Sequence, residues 1–311
     1  AAEALGKLGN ASPQVVEALL GLLKDESQNV RESAAEALGK LGNASPQVVE
    51  ALLGLLKDES QNVRDSAAEA LGKLGNASPQ VVEALLGLLK DESQYVRYPA
   101  AEALGNLGNA SPQVVEALLG LLKDESQNVR DSAAEALGKL GNASPQVVEA
   151  LLGLLKDESQ YVRYPAAEAL GNLGNASPQV VEALLGLLKD ESQNVRYSAA
   201  SALGKLGNAS PQVVEALLGL LKYETQYVRY SAASALGKLG NASPQVVEAL
   251  LGLLKDESQN VRNSAAQALG KLGKNSSNVT ATVAEWISQH QDSKYVGSGI
   301  DALWNLVVTE E

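Results

Sequence analysis

Cysteine, methionine and phenylalanine are all missing from this chain of 311 residues, and histidine occurs once, as His290. Without cysteine there is no disulfide framework, no thiolate metal site and no cysteine nucleophile. A single histidine leaves no metal cluster of the usual ligand types and no Ser–His–Asp arrangement. Long apolar runs are also lacking. The longest, "VVEALLGLL", carries a glutamate in each copy, and none approaches the ~18 residues that cross a bilayer. Positive charge is scarce as well. The formal charge is −12, spread along the chain, which argues against a nucleic-acid partner, because phosphate binding needs clustered Lys and Arg. The start, "AAEALGKLG", has no basic n-region and reads as the second half of a repeat. No signal or membrane segment is visible, so a cytoplasmic location is expected, with no membrane partner.

What the chain has instead is one sentence said many times. The stretch "NASPQVVEALLGLLKDESQNVRESAAEALGKLG", residues 10–42, returns from 43, 76, 109, 142, 175, 208 and 241, ending at 273. A fixed 33-residue period signals stacked supersecondary units, none able to bury its apolar face alone. The expected organisation is one array over 1–311: a partial repeat at 1–9, eight repeats over 10–273, and a divergent capping repeat at 274–311.

Each repeat reads as two helices. Ser12-Pro13 is an N-cap followed by proline at the first helical position. Val15, Val16, Leu19, Leu20, Leu22 and Leu23 then form a broad apolar face. Ser27 can cap the second helix, where Val30, Ala34, Ala37, Leu38 and Leu41 share one side. Gly42 sits where a left-handed helix end is wanted. Small residues at Ala34, Ala35, Ala37 and Gly39 allow close approach. Proline at 99 and 165, about six residues into the second helix, predicts a kink or a broken first turn there.

The "TPLH" turn of ankyrin repeats and the tetratricopeptide Trp-Leu-Gly-Tyr pattern are absent. "LLKD", then "VR" with Asp25 six residues before Arg31, then "AAEALGKLG", resembles the HEAT repeat, especially the short HEAT-like units of phycobilisome lyases. The resemblance implies an all-α, right-handed α-solenoid of two-helix repeats. It also implies second helices lining the concave side and an Asp–Arg ladder between successive repeats. The ladder residues are Asp25, Arg31, Asp58, Arg64, Asp91, Arg97, Asp124, Arg130, Asp157, Arg163, Asp190, Arg196, Arg229, Asp256 and Arg262. The chain's eight arginines all fall at this position. In the seventh repeat Tyr223 stands where the aspartate should be. Arg229 is therefore expected to lose its own repeat's carboxylate and lean on Asp190 or Asp256.

In the tail, Val279, Val283, Trp286 and Ile287 replace the first helix's apolar face. After a two-residue insertion, Tyr295, Val296, Ile300, Leu303, Trp304 and Val307 replace the second, with Gly297 in place of the arginine. Trp286 and Trp304 read as cap packing.

The copies differ at few positions. The Asn29 position becomes Tyr95, Tyr161 and Tyr227. The Glu32 position becomes Asp65, Tyr98, Asp131, Tyr164, Tyr197, Tyr230 and Asn263. The Ser33 position becomes Pro99 and Pro165. The Glu36 position becomes Ser201, Ser234 and Gln267, and the Lys40 position becomes Asn106 and Asn172. At about 100° per residue these five positions fall within roughly a 100° arc of the second helix, opposite its apolar side. Gln14, Glu17, Gly21 and Lys24 are equally free to drift but are identical in all eight repeats. Residues 43–108 and 109–174 are identical, so one two-repeat block was copied whole. Single-nucleotide steps favour a natural array diversified after duplication; a restricted designed library gives the same result.

Tyrosine suits recognition, offering large area, one hydroxyl and few rotatable bonds. Candidate partner-binding residues are Tyr95, Tyr98, Tyr161, Tyr164, Tyr197, Ser201, Tyr223, Tyr227, Tyr230 and Ser234. The expected function is a non-enzymatic scaffold, without cofactor, that binds a protein or peptide on its second helices. The arrays of bacterial NACHT-type signalling ATPases are similar, which implies a sensor part. Structural alternatives are a spacer or a filament formed by end-to-end self-association.

Overall fold

A computed structural model describes residues 12–223, 225–274 and 276–307; the partial repeat at 1–9 lies outside the described residues. The first helices of the eight repeats are α1 (Pro13–Leu22), α3 (Pro46–Leu55), α5 (Pro79–Leu88), α7 (Pro112–Leu121), α9 (Pro145–Leu154), α11 (Pro178–Leu187), α13 (Pro211–Leu220) and α15 (Pro244–Leu253). The second helices are α2 (Gln28–Leu41), α4 (Gln61–Leu74), α6 (Gln94–Leu107), α8 (Gln127–Leu140), α10 (Gln160–Leu173), α12 (Gln193–Leu206), α14 (Gln226–Leu239) and α16 (Gln259–Gly273). The tail adds α17 (Ser277–Gln289) and α18 (Val296–Val307). Among the described residues there is no strand. The chain is an α-solenoid of stacked helical pairs and divides into two compact units, residues 1–150 and 151–311.

In the first unit α2, α4, α6 and α8 stack in order; in the second α10, α12, α14, α16 and α18 do the same. Second helices pack on one another far more extensively than first helices do. The reason is small residues. A Cβ added at Gly72 would stand 2.8 Å from the Ala103 Cα, and one at Gly204 would stand 2.8 Å from that of Ala235. Within each unit a second helix thus rests its glycine on the alanine of the next second helix. Val63, Ala67, Leu71 and their counterparts are fully buried around that line, apart from the half-buried Val30 of the first repeat. Gly42 ends α2 at φ 68, in the left-handed region, and its counterparts through Gly240 do likewise.

The capping serines work differently from expectation. Ser12 accepts from the Val15 N–H at 3.4 Å, but Ser45 instead donates its own N–H to Asn43 Oδ1 at 3.0 Å. Ser27 makes no side-chain cap bond; in α6 and α10, Ser93 and Ser159 accept from the N–H groups of Tyr95 and Tyr161.

The prolines also depart from expectation. α6 and α10 run unbroken over the same 14 residues as α4, with Pro99 and Pro165 buried inside them. Proline removes one N–H from the helix, here the one that would meet the carbonyl four residues back. Stacking on α4 and α8 holds α6 helical despite that loss.

The tail register departs further. A Cβ added at Gly270 would stand 2.5 Å from the Asn305 Cβ, as one added at Gly237 would stand 2.7 Å from the Ala268 Cα. Asn305 thus takes the place of Ala268 after 37 residues rather than 33. The insertion is of four residues, not two. Ile300 then occupies the Glu32 position, Trp304 the Glu36 position and Gly299 the arginine position, while Ala302 is fully buried like Ala34. Trp286 is buried as cap packing, but Trp304 is 67% exposed and is not.

Candidate binding surface

Within each unit the ladder links successive second helices and fixes their register. Arg31 Nε donates to Asp58 Oδ2 at 2.8 Å and Nη2 donates to Asp58 Oδ1 at 2.9 Å. Nη1 donates to the backbone carbonyls of Asp25 and Glu26. The carboxylate partner therefore comes from the next repeat, and an arginine's own repeat supplies carbonyls. Arg64 with Asp91, Arg97 with Asp124, and Arg163 with Asp190 repeat the geometry. Asp58 Oδ1 also accepts the Ser60 N–H at 2.9 Å. The hydrogen bonds from Arg31 hold the Asp58 carboxyl below its usual range, against the opposing effect of burial. Bidentate, charge-assisted pairs of this kind add orientation as well as energy.

Because the ladder points forward, Tyr223 deprives Arg196 of a carboxylate, not Arg229. Arg229 binds Asp256 at 2.7 and 2.8 Å and takes the Tyr223 carbonyl at 2.9 Å, like any other rung. Arg196 keeps the carbonyls of Asp190 and Glu191, but its guanidinium lies 5.1 Å from the centre of the Tyr223 ring. Its Nε is buried without a hydrogen-bond partner among the described residues, as is Thr225 Oγ1.

The substituted positions form the outer face of the stacked second helices. Tyr95 and Tyr161 are half exposed at 51% and 52%, and Tyr227 is the most open tyrosine at 58%. Tyr197, Tyr223 and Tyr230 are exposed to a lesser degree, while Tyr98 and Tyr164 are half-buried. Tyr161 meets Tyr164 edge-to-face at 6.5 Å. Ser231 Oγ donates to the Tyr197 carbonyl at 2.8 Å and Ser264 Oγ to that of Tyr230 at 3.0 Å, pinning the backbone beneath those rings. Tyr197, Tyr227 and Tyr230 line an open cavity of about 380 Å³ with Gln226 and Asn260. Ser201 and Ser234 lie half-buried on the same helices as Tyr197 and Tyr230. Tyr223 stands apart from this face, against Arg196.

The corresponding face of the first unit is acidic. Burial first, then Glu69, Glu32, Glu36 and Glu102, push the Asp65 carboxyl up to about 7. Burial, Glu135 and Glu102 do the same to Asp131. Burial and the Tyr230 and Glu168 charges raise the Tyr197 phenol.

Two surface residues escape a reading by composition alone. Ile300, 54% exposed, and Trp304 continue the tyrosine face into the tail; Trp304 borders a shallow cavity with Asn263, Gln267 and Asp301. Aligning Ala302-Leu303 with Ala34-Ala35 finds their register. Among the described residues no group of three or more His, Cys, Asp or Glu is placed to hold a metal. Among them, too, no helix is long and apolar enough to cross a membrane. His290 stacks on Trp286 at 4.3 Å and its Nδ1 meets the Trp286 carbonyl at 2.8 Å.

The family model described as HEAT repeats matches residues 1–52, 43–105, 82–171, 148–237 and 219–303. Among solved structures, the Escherichia coli protein YibA is 25% identical, with 87% of this chain and 94% of that one covered and a TM-score of 0.62. Kap95p, in its complex with RanGDP, is 17% identical at a TM-score of 0.65, with 98% of this chain matching 48% of that one. An engineered protein is 21% identical over 99% of this chain and 94% of its own, at a TM-score of 0.49. No curated protein sequence matches significantly.

Proposed function

This chain belongs to the HEAT-repeat family, and we propose that it is a non-enzymatic scaffold that binds a protein or peptide on the tyrosine-bearing face of its second helices. The observation that carries the reading is the exposure of Tyr161, Tyr197, Tyr227 and Tyr230 on stacked inner helices. Ser201 and Ser234 replace glutamates beside them, so the same face also sheds negative charge. Exposed aromatic surface gains a monomer little and is a common anchor in interfaces. The invariant outer-helix residues Gln14 and Glu17 supply the contrast. Substitution has been accepted on the inner helices and not on the outer ones.

The test is selection of peptides from a displayed random library on the full chain. Recovered peptides are expected to lose about tenfold or more in affinity for the Tyr164→Ala/Tyr230→Ala double variant, as removal of interface anchors does. They should bind Gln14→Ala unchanged. Peptides that bind the double variant as well as the parent would remove the tyrosine face from consideration.

A further inference from the structure

The lysine at the Lys40 position is present in six of the eight repeats, but its surroundings change along the array. In the first unit it is neutralised within its own helix. Lys40 pairs with Glu36 at 2.9 Å and Lys139 with Glu135 at 2.8 Å, and Lys73 pairs with Glu69 in the same way. In the sixth, seventh and eighth repeats that glutamate has become Ser201, Ser234 or Gln267. Lys205 turns to Glu168 at 3.6 Å and to Asn172 at 2.7 Å. Lys238 and Lys271 form no ion pair among the described residues. Burial, and then the charges of Lys205 and Lys271, lower the Lys238 ammonium. Three exposed cations thus stand in a row, close enough to repel, on a chain whose formal charge is −12.

The row runs beside the aromatic face. Along one helix the Glu32 and Lys40 positions are eight residues apart, about 12 Å at the helical rise. Tyr197 and Tyr230 lie on one side of the intervening Ser201 and Ser234, and Lys205 and Lys238 lie on the other. Ile300 and Trp304, both exposed, add apolar surface two helices further, beyond Asn263 and Gln267 of α16. Successive helices are about 10 Å apart, which is about three residues of extended chain. We infer that repeats six to eight and the tail bind an extended acidic peptide, its carboxylates on Lys205, Lys238 and Lys271 and its apolar side chains on Tyr230 and Trp304. Charge complementarity selects this occupant. An incoming carboxylate gives Lys238 and Lys271 the counter-charge that their first-unit counterparts keep within their own helices, and adds to the Glu168 contact of Lys205. A basic peptide would be drawn instead to the face bearing Glu32, Asp65, Glu69 and Glu102.

The inference rests on the reading proposed above, and peptide selection separates the two. Random peptides displayed on phage are panned in parallel on the full chain and on the exposed-residue variant Lys205→Gln/Lys238→Gln/Lys271→Gln, with circular dichroism confirming that both are helical. The expected result is enrichment of peptides rich in Asp and Glu interspersed with apolar residues. Their affinity should fall about tenfold or more on the lysine variant and fall again on Trp304→Ser, and it should weaken as salt rises. Peptides that lose affinity on Tyr164→Ala/Tyr230→Ala but bind the lysine variant as the parent, or that carry no acidic bias, would overturn the inference and leave the tyrosine face standing. If no peptide is enriched, or none responds to any of these variants, both fail.

Discussion

The Arg196 guanidinium lies over the Tyr223 ring at 5.1 Å, where the neighbouring arginines Arg163 and Arg229 each hold a carboxylate from the next repeat. Its Nε is buried and has no hydrogen-bond partner among the described residues. A stacked ring attracts a cation, but it accepts neither of the two parallel N–H bonds that Asp190 accepts from Arg163. Tyr223→Asp restores that acceptor and is expected to stabilise the chain by about 1–3 kcal/mol, the range for satisfying a buried charged donor. Thermal melting followed by circular dichroism would register it as a rise in Tm. In the parent, Arg196→Met should cost less than Arg163→Met. A Tm that stays level or falls with Tyr223→Asp would mean that the ring serves Arg196 as well as a carboxylate does.

Glycines at two positions of the same repeat should respond in opposite directions to alanine. Gly54 has nothing within 4 Å of an added Cβ and sits inside a helix, whereas at Gly72 the new atom would meet the Ala103 Cα at 2.8 Å. Gly54→Ala is expected to stabilise by about 0.5–1 kcal/mol through reduced backbone freedom. Gly72→Ala should destabilise by about 1–3 kcal/mol through overpacking. Denaturant midpoints of the two variants check the pair. Equal effects would deny that glycine–alanine contacts set the spacing of the inner helices.

Much of this architecture could be read directly, because a motif repeated eight times identifies itself: the helix pair, the closing glycine and the substituted face all follow from the 33-residue unit. The direction of the ladder could not. In a strict repeat, an aspartate six residues before each arginine and one 27 residues after it recur together, and nothing in the spacing separates them. Only the copy that breaks the pattern distinguishes the two, and Tyr223 turns out to leave Arg196 short rather than Arg229. The tail register was hidden for the opposite reason. It occurs once, so no second copy pins Ile300 and Trp304 to the inner face; the close approach of Gly270 to Asn305 does so. The lysine row escaped because Lys205, Lys238 and Lys271 are themselves unchanged. What changed is the residue four positions earlier.

Pro99 and Pro165 mark the limit of a local rule. A proline six residues into a helix predicts a break, yet α6 and α10 keep the length of α4. The cost must then appear as lost stability rather than altered shape. Pro99→Ser returns an N–H to the helix and is expected to stabilise by about 1–3 kcal/mol, toward the usual penalty for internal proline, less the entropy proline removes from the unfolded chain. Chemical denaturation of Pro99→Ser beside the parent would decide it. A loss of stability would show that Pro99 packs better in its buried site than serine does.

Asp65 and Asp131 make the first unit's inner face sensitive to pH. Both carboxyls are raised to about 7 in the folded chain, against about 4 in an unfolded one. Between those values the folded state holds a proton that the unfolded state has released, so stability falls as pH rises. The contribution is fully present below pH ~4 and is lost as pH passes through about 7. The ladder carboxyls work in the opposite sense but elsewhere on the scale. Asp58, Asp124 and Asp190 are lowered from their ordinary value, so their contribution is lost only in more acidic solution. The interval between pH ~4 and ~7 therefore isolates the raised pair. Asp65→Asn/Asp131→Asn should flatten the decline in Tm across that interval and leave the acid limb unchanged. A parent whose Tm climbs from pH ~4 to ~7 would show that neither burial nor the surrounding glutamates raise Asp65 and Asp131 in the folded chain.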